Sequence, residues 1–418
     1  MVKSYRIFIS NYLLVGVLAL STILSMPVVF RHLGATEWSY VAITISVQAF
    51  LGLLDFGMIQ LIPRDIARET CNNSRKRIYN QYVFNYLTIP LIAFLGFMLF
   101  SNLLSMHWEV NKILYGFFGG VLYLLQSLNL AHYAFLNGLG AQLLANRIQS
   151  SNSVARVLGV LVSVMLVKAR AETYIIASVI FYTIELFVNL FVVQRRIDGR
   201  SPFRVCVLVS GLVRYVIKNW KIMLGVSVGV LASNLDRLML MPRVDLSSFG
   251  IYVLVLGFAL NAMNLQYPLF KNLLADACSL DADKLKIQSK RVFKLNFLIC
   301  VIPCVAAGFM ARPILQMWSH NVELAISGAP VFMLILFAVA INSLHHLNYL
   351  KQLYWNEQHW IGLTHIASLI CCIVYLSFKP ELTIVDGGVS WLIANLVQFI
   401  SGLLWSMNRY RRPITFSW

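Results

Sequence analysis

Val41-Ala42-Ile43-Thr44-Ile45-Ser46-Val47-Gln48-Ala49-Phe50-Leu51-Gly52-Leu53-Leu54-Asp55-Phe56-Gly57-Met58-Ile59-Gln60-Leu61-Ile62 runs for 22 residues with one ionisable side chain, Asp55. Wound as a helix it rises about 33 Å, matching a hydrocarbon core about 30 Å thick. A barrel strand would be about half as long and would alternate apolar with polar residues, which this stretch does not do. Stretches of the same kind recur from Ile7 to Met407 with short loops between them. The expected spans are 7–30, 38–62, 79–104, 112–136, 148–167, 172–194, 221–241, 248–270, 294–311, 323–346, 361–378 and 388–407. The fold class that follows is an all-α polytopic integral membrane protein of about twelve transmembrane helices.

Composition agrees: 59% of the 418 residues are hydrophobic and 12% charged, and the mean hydropathy is +0.73. That is too little polar surface to coat a water-soluble globule of this length. The formal net charge of +17 would point to nucleic acid in a soluble protein. Here most of the Lys and Arg fall in the N-terminus, the even-numbered loops and the C-terminus, which places both termini in the cytoplasm and makes the charge a topology signal. Nucleic-acid binding is thereby excluded, and membrane lipid becomes the general partner. The first apolar run is longer than a signal-peptide core and is expected to remain as a helix. Seven cysteines, without CxxC spacing, read as small buried residues and not as a metal or disulfide framework. No phosphate loop, nucleophile elbow or paired-acid site is present, so neither a cofactor nor a metal is expected and the chain reads as a non-enzyme driven by gradients.

The longest cytoplasmic connection, Arg195 to Lys221, divides the chain into residues 1–194, a link at 195–220 and residues 221–418. Two groups of six spans enter the membrane in the same orientation, which permits a parallel repeat. Phe30 to Val41 and Pro242 to Val253 each carry a polar turn, an aromatic, a small residue and a new apolar helix. Gln60 to Asp65 and Gln266 to Lys271 each bring Gln, Pro and a base together. Within the link, Val205–Ile217 reads as an amphipathic helix on the inner leaflet.

Five charges fall at membrane depth: Asp55, Arg156, Glu185, Asp236 and Arg237. Facing lipid they would cost about 12–18 kcal/mol together, so they must face a wet cavity or one another. Asp55, Glu185 and Asp236 are candidates for exchanging a proton or sodium ion, with interhelical ion pairing as the alternative for each. Arg156 and Arg237 do not titrate, and their forked donors suit phosphate oxygens, so as unpaired cavity cations they point to an anionic substrate. Asn152, Asn234 and Asn264 could hydrogen-bond sugar hydroxyls from cavity walls. Arg64, Arg68, Arg147 and Lys271 cluster toward the cytoplasmic mouth. His132, His345 and His346 lack a third ligand at helical spacing and read as interhelical hydrogen-bonding groups.

Gly52-Leu53-Leu54-Asp55-Phe56-Gly57 with Pro63-Arg64-Asp65-Ile66-Ala67-Arg68 resembles the second-helix signature of the polysaccharide-export flippases of the multidrug/oligosaccharidyl-lipid/polysaccharide (MOP) superfamily. Asn152 with Val154-Ala155-Arg156 resembles their fifth helix. Asn234-Leu235-Asp236-Arg237 followed by Phe249-Gly250-Ile251-Tyr252 resembles their seventh and eighth. Ser39 stands where the first-half pattern often has Gly. The resemblance implies two six-helix lobes in a V-shaped arrangement like that of the multidrug antiporters. It implies a Wzx-type activity, moving an undecaprenyl-pyrophosphate-linked oligosaccharide such as an O-antigen repeat unit to the outer leaflet of a bacterial inner membrane. Partners so implied are that lipid, H+ or Na+ as coupling ion, and the polysaccharide polymerase and chain-length regulator. Two alternatives stay open: a cation-coupled drug or metabolite antiporter of the same superfamily, and a membrane polysaccharide polymerase or ligase.

Overall fold

A computed structural model describes residues 2–55, 57–104, 110–197, 205–266, 269–270, 282–354 and 357–410. Among these residues every regular element is helical. The first is α1 (Val2–Leu51), a continuous run bent at Gly34. At 50 residues it is long enough for two crossings, and it covers the first expected span and most of the second. Gly34 has φ +76° and ψ 169°, a conformation essentially reserved to glycine. The polar turn expected around residues 30–41 is therefore a one-residue joint.

The second span continues through a 3₁₀ turn (Gly52–Asp55) into α2 (Met58–Arg68), which starts after Gly57 in the left-handed region. Four long helices follow: α3 (Asn72–Leu104), α4 (Val110–Gly138), α5 (Gln142–Leu166) and α6 (Ala171–Gln194). The Glu37 carboxylate accepts the Ala171 N–H at 2.8 Å, capping α6 from α1. On α6 the stripe Ser178, Glu185, Asn189 is buried, while Ile176, Ile180, Ile184, Phe187 and Phe191 are exposed. Polar residues turned inward and apolar residues outward are what lipid demands of a spanning helix. The core of this part joins Met58, Ile62 and Ile66 of α2 to Tyr86 of α3 and Phe135 and Leu136 of α4.

Next comes α7 (Val205–Ala232), a single helix with no proline in its 28 residues. The surface helix expected at 205–217 and the span expected from 221 are thus continuous, because nothing between them breaks the helical hydrogen bonding. Tyr215 of α7 meets Tyr82 of α3 edge to face at 5.8 Å. The backbone at Gly211 lies so close to Gln81 that a β-carbon there would collide with its amide. By compactness the chain divides into Met1–Val230 and Leu231–Trp418, a division inside α7.

The second unit holds the short α8 (Leu235–Leu240), α9 (Leu246–Leu260) and a 3₁₀ turn (Asn261–Leu265). After the gap come α10 (Ala282–Asn296), a π turn (Phe297–Val301), α11 (Ile302–Phe309) and α12 (Ala311–Ser319). It ends with α13 (Val322–Tyr354), α14 (Gln358–Ser377) and α15 (Ile384–Tyr410). Among the described residues nine helices are long and apolar enough to cross a bilayer, one of them the bent 40-residue stretch Gly16–Asp55. The helix α12 was not legible in the sequence, because a nine-residue helix gives too short a pattern to distinguish from loop.

Candidate functional site

The first unit has a partly open cavity of about 350 Å³. Its walls come from α1 (Gln48), α4 (Gln126), α5 (Arg156) and α6 (Tyr174, Ser178, Tyr182). Gln48 donates to Gln126 at 2.5 Å, tying α1 to α4 beside the cavity. Arg156 sits midway along α5 and its guanidinium lies 4.0 Å from the centre of the Tyr182 ring. Cation–π packing of this kind holds the planar group flat against the wall.

Arg156 is not the unpaired cation anticipated from the sequence. Its Nη1 donates to Glu185 Oε2 at 2.8 Å. Glu185 accepts from Tyr133 at its other oxygen, at 2.9 Å, and Asn152 donates to that Tyr133 hydroxyl at 3.2 Å. Three predicted residues, Asn152, Arg156 and Glu185, thus form one network through a tyrosine that sequence reasoning missed. Glu185 is 4% exposed, whereas the Arg156 side chain keeps 22% of its surface. The pair is stabilised because desolvation of each charge is offset by the other and by the hydroxyl. The arginine retains further N–H donors, beyond the one committed to Glu185, for a group in the cavity.

Asp55 is not part of this network. It lies at the helix interruption before α2 and accepts a hydrogen bond from the Tyr86 hydroxyl. Asp236, on α8 of the second unit, is 2% exposed and accepts from Tyr252 of α9. Tyr252 fits only because position 387 is glycine; a β-carbon there would meet its ring at 2.6 Å. Tyrosine hydroxyls also reach Asp65 from Tyr82 (2.7 Å), Glu172 from Tyr115 (2.7 Å) and Asp386 from Tyr375 (2.6 Å). A tyrosine hydroxyl satisfies part of a carboxylate's hydrogen-bonding capacity, and Asp65 and Asp386 have in addition the cations Arg64 and Lys379. The tyrosines are separated from their carboxylates by 11 to 57 residues, so no local spacing announces them.

The other predicted residues fall elsewhere. The Nε of Arg237 is buried without a hydrogen-bond partner. Asn234 lies at the start of α8 and is buried, and Asn264 donates to Asn261 at 3.4 Å. Arg64 pairs with its neighbour Asp65 at 3.0 Å. Arg68 and Arg147 are exposed, and Lys271 lies outside the described residues. His132 joins α4 to α3 through Tyr79, 2.9 Å from its Nε2.

Among solved structures, the chain is similar to the lipid II flippase MurJ in an inward closed conformation. The TM-score is 0.74 at 11% identity, over 94% of this chain and 87% of that one. The chain has the fold of the MOP transporters. The MATE multidrug transporter DinF-BH, solved with R6G, matches at TM-score 0.69 and 13% identity over 98% of this chain and 95% of its own. A MOP-superfamily transporter from Pyrococcus furiosus with a binding pocket of reversed polarity matches at 0.60 and 13%, over 97% and 95%. At these identities the likeness is one of fold. No protein-family profile and no curated protein matches the chain.

Proposed function

We infer that this protein is a flippase of the MOP fold that carries a lipid-linked, pyrophosphate-bearing oligosaccharide from the cytoplasmic to the outer leaflet of a bacterial inner membrane. The supporting observation is the cavity of the first unit. Inside a bundle built for lipid, it gathers an arginine, two amides and hydroxyl groups. The rest of the lining is apolar, including Met26, Ile45, Leu122 and Val160, so it is the polar groups among it that select the cargo. An anion flanked by sugar hydroxyls matches them, with the guanidinium addressing phosphate oxygens and the amides and hydroxyls addressing the sugar. Arg156 is assigned the phosphate contact, and Arg237 is the second unit's candidate for the same chemistry. An inside-negative potential of 100 mV favours outward movement of each anionic charge by about 2.3 kcal/mol.

Deleting the gene and measuring the lipid-linked oligosaccharide pool tests the reading. Accumulation of pyrophosphate-linked repeat units, with loss of surface polymer, is expected; complementation with R156A, expressed to a membrane level matched to wild type, should leave the phenotype in place. Persistent surface polymer, together with reduced efflux of a cationic dye, would overturn it in favour of a drug exporter on this fold.

A further inference from the structure

The cavity's cation already has an anion. Arg156 Nη1 is held by Glu185 Oε2 at 2.8 Å, and Glu185 Oε1 is held by Tyr133 at 2.9 Å. Arg156 faces the cavity, and Glu185 stands behind it, almost fully buried. A phosphate entering the cavity therefore meets a guanidinium already paired with a carboxylate held in place by Tyr133. If the carboxylate stayed ionised, the loaded site would hold one cation and at least two anions, with Glu185 itself buried from solvent.

We propose that an anionic headgroup and a proton load this cavity together, the phosphate replacing the Glu185 carboxylate on Arg156 and the proton neutralising Glu185. This rests on the reading of Arg156 as the phosphate contact. The Nη1–H···Oε2 bond breaks and an N–H···O–P bond forms. The proton, taken up from solvent through the cavity, sits on Glu185 Oε2, and Tyr133 remains on Oε1. On release the proton returns to water and the ion pair re-forms, so no charge is stranded. Arg156 comes from α5, Tyr133 from α4 and Tyr182 from α6 itself. From α1 the facing group is the Gln48 amide, which cannot titrate and hydrogen-bonds Tyr182. Glu185 is the one carboxylate in this set and so the group that must take the proton.

Calorimetric titration of the full-length protein in lipid nanodiscs with farnesyl pyrophosphate, in two buffers of different ionisation enthalpy, counts protons bound per probe. Wild type should take up about one proton more than E185Q. As pH rises above the range where Glu185 is readily protonated, wild-type affinity should fall about tenfold per pH unit, while E185Q, unchanged in shape, stays flat and binds at least as tightly. Y133F, which leaves the ion pair but removes a hydrogen bond favouring the carboxylate, should begin its fall at higher pH and gives a second readout should E185Q fold poorly. Equal proton counts in wild type and E185Q, with R156A still losing the probe, would overturn the coupling and leave the phosphate contact standing. R156A binding the probe as wild type does, or no binding by wild type, would overturn the phosphate contact itself.

Discussion

The two units share a clamp and differ in where they keep their charge. In the first, Asn189 of α6 donates to Asn129 of α4 at 2.8 Å, and Asn129 donates to the Tyr182 carbonyl at 3.0 Å. In the second, Asn342 of α13 donates to Asn395 of α15, also at 2.8 Å, and Asn395 donates to the Trp391 carbonyl at 2.8 Å. Each bridge joins the fourth and sixth expected spans of its half, with the donor on the sixth in the first unit and on the fourth in the second. One turn before Asn189 stands Glu185; one turn before Asn395 stands Trp391. The fifth span supplies Arg156, whereas α14 has no Lys, Arg, Asp or Glu at all. The second unit's deep charges sit instead on α8, as Asp236 and Arg237. The two units thus carry their deep charges on different elements, and in the first unit Arg156 lines a cavity.

The sharpest way to break this comparison is to remove the first unit's charge. R156A leaves Glu185 buried with only Tyr133, and should cost about 3 kcal/mol of stability along with transport. Replacing both members by leucine should recover most of the stability and none of the transport, read by thermal unfolding in detergent beside the lipid-pool assay. Additive losses in the double variant would mean the two charges do not act as a pair.

The joints between spans differ as well. The first two spans meet at Gly34, while α8 and α9 are joined by residues 241–245, with Asp245 capping α9 by accepting the Ser248 N–H at 2.8 Å. G34A should cost about 2 kcal/mol, because alanine must adopt a backbone angle it disfavours. A midpoint equal to wild type would show that the bend can move to a neighbouring residue.

The amide bridges sharpen the likeness. N189A and N395A should each cost about 1 kcal/mol, and by similar amounts. A loss confined to one unit would mean the bridges are coincidental. The smallest effect belongs to Asp245. D245A should cost about 0.5–1 kcal/mol. The Ser248 N–H favours the ionised cap and holds its carboxyl below the usual carboxylate range. Its contribution is therefore complete above about pH 4 and is lost as pH falls through the lower folded value. Wild type and D245A should converge in stability on acidification, and parallel curves would remove Asp245 from the account.

Much of this architecture was legible because lipid leaves a chain few choices. Length and hydropathy located the long apolar helices among the described residues, and the cost of burying charge singled out Arg156, Glu185 and Asp236. The expected span 221–241, however, is broken before α8, and 248–270 runs into residues outside those described. What the sequence hid is long-range pairing. Glu185 and Arg156 are 29 residues apart, and either could have paired elsewhere; Tyr133, which completes their network, is one of 18 tyrosines. The one-residue joint at Gly34 was hidden for another reason: a single glycine in a polar stretch reads the same in a loop as in a bend. The run through 205–232 was hidden because basic flanks argued for a surface helix, while helix continuity depends only on the absence of a breaker.

That run, α7, belongs to both units, since the division between Val230 and Leu231 falls inside it. During synthesis the first unit cannot finish packing until Gly211 and Tyr215 have left the ribosome, by which time the helix that opens the second unit is already under way. Expressed as two separate polypeptides, the protein would have to be cut close to or within this helix. A break before residue 205 takes from the first piece the helix lying on its α3, and a break at 231 cuts that helix from the turns leading into α8.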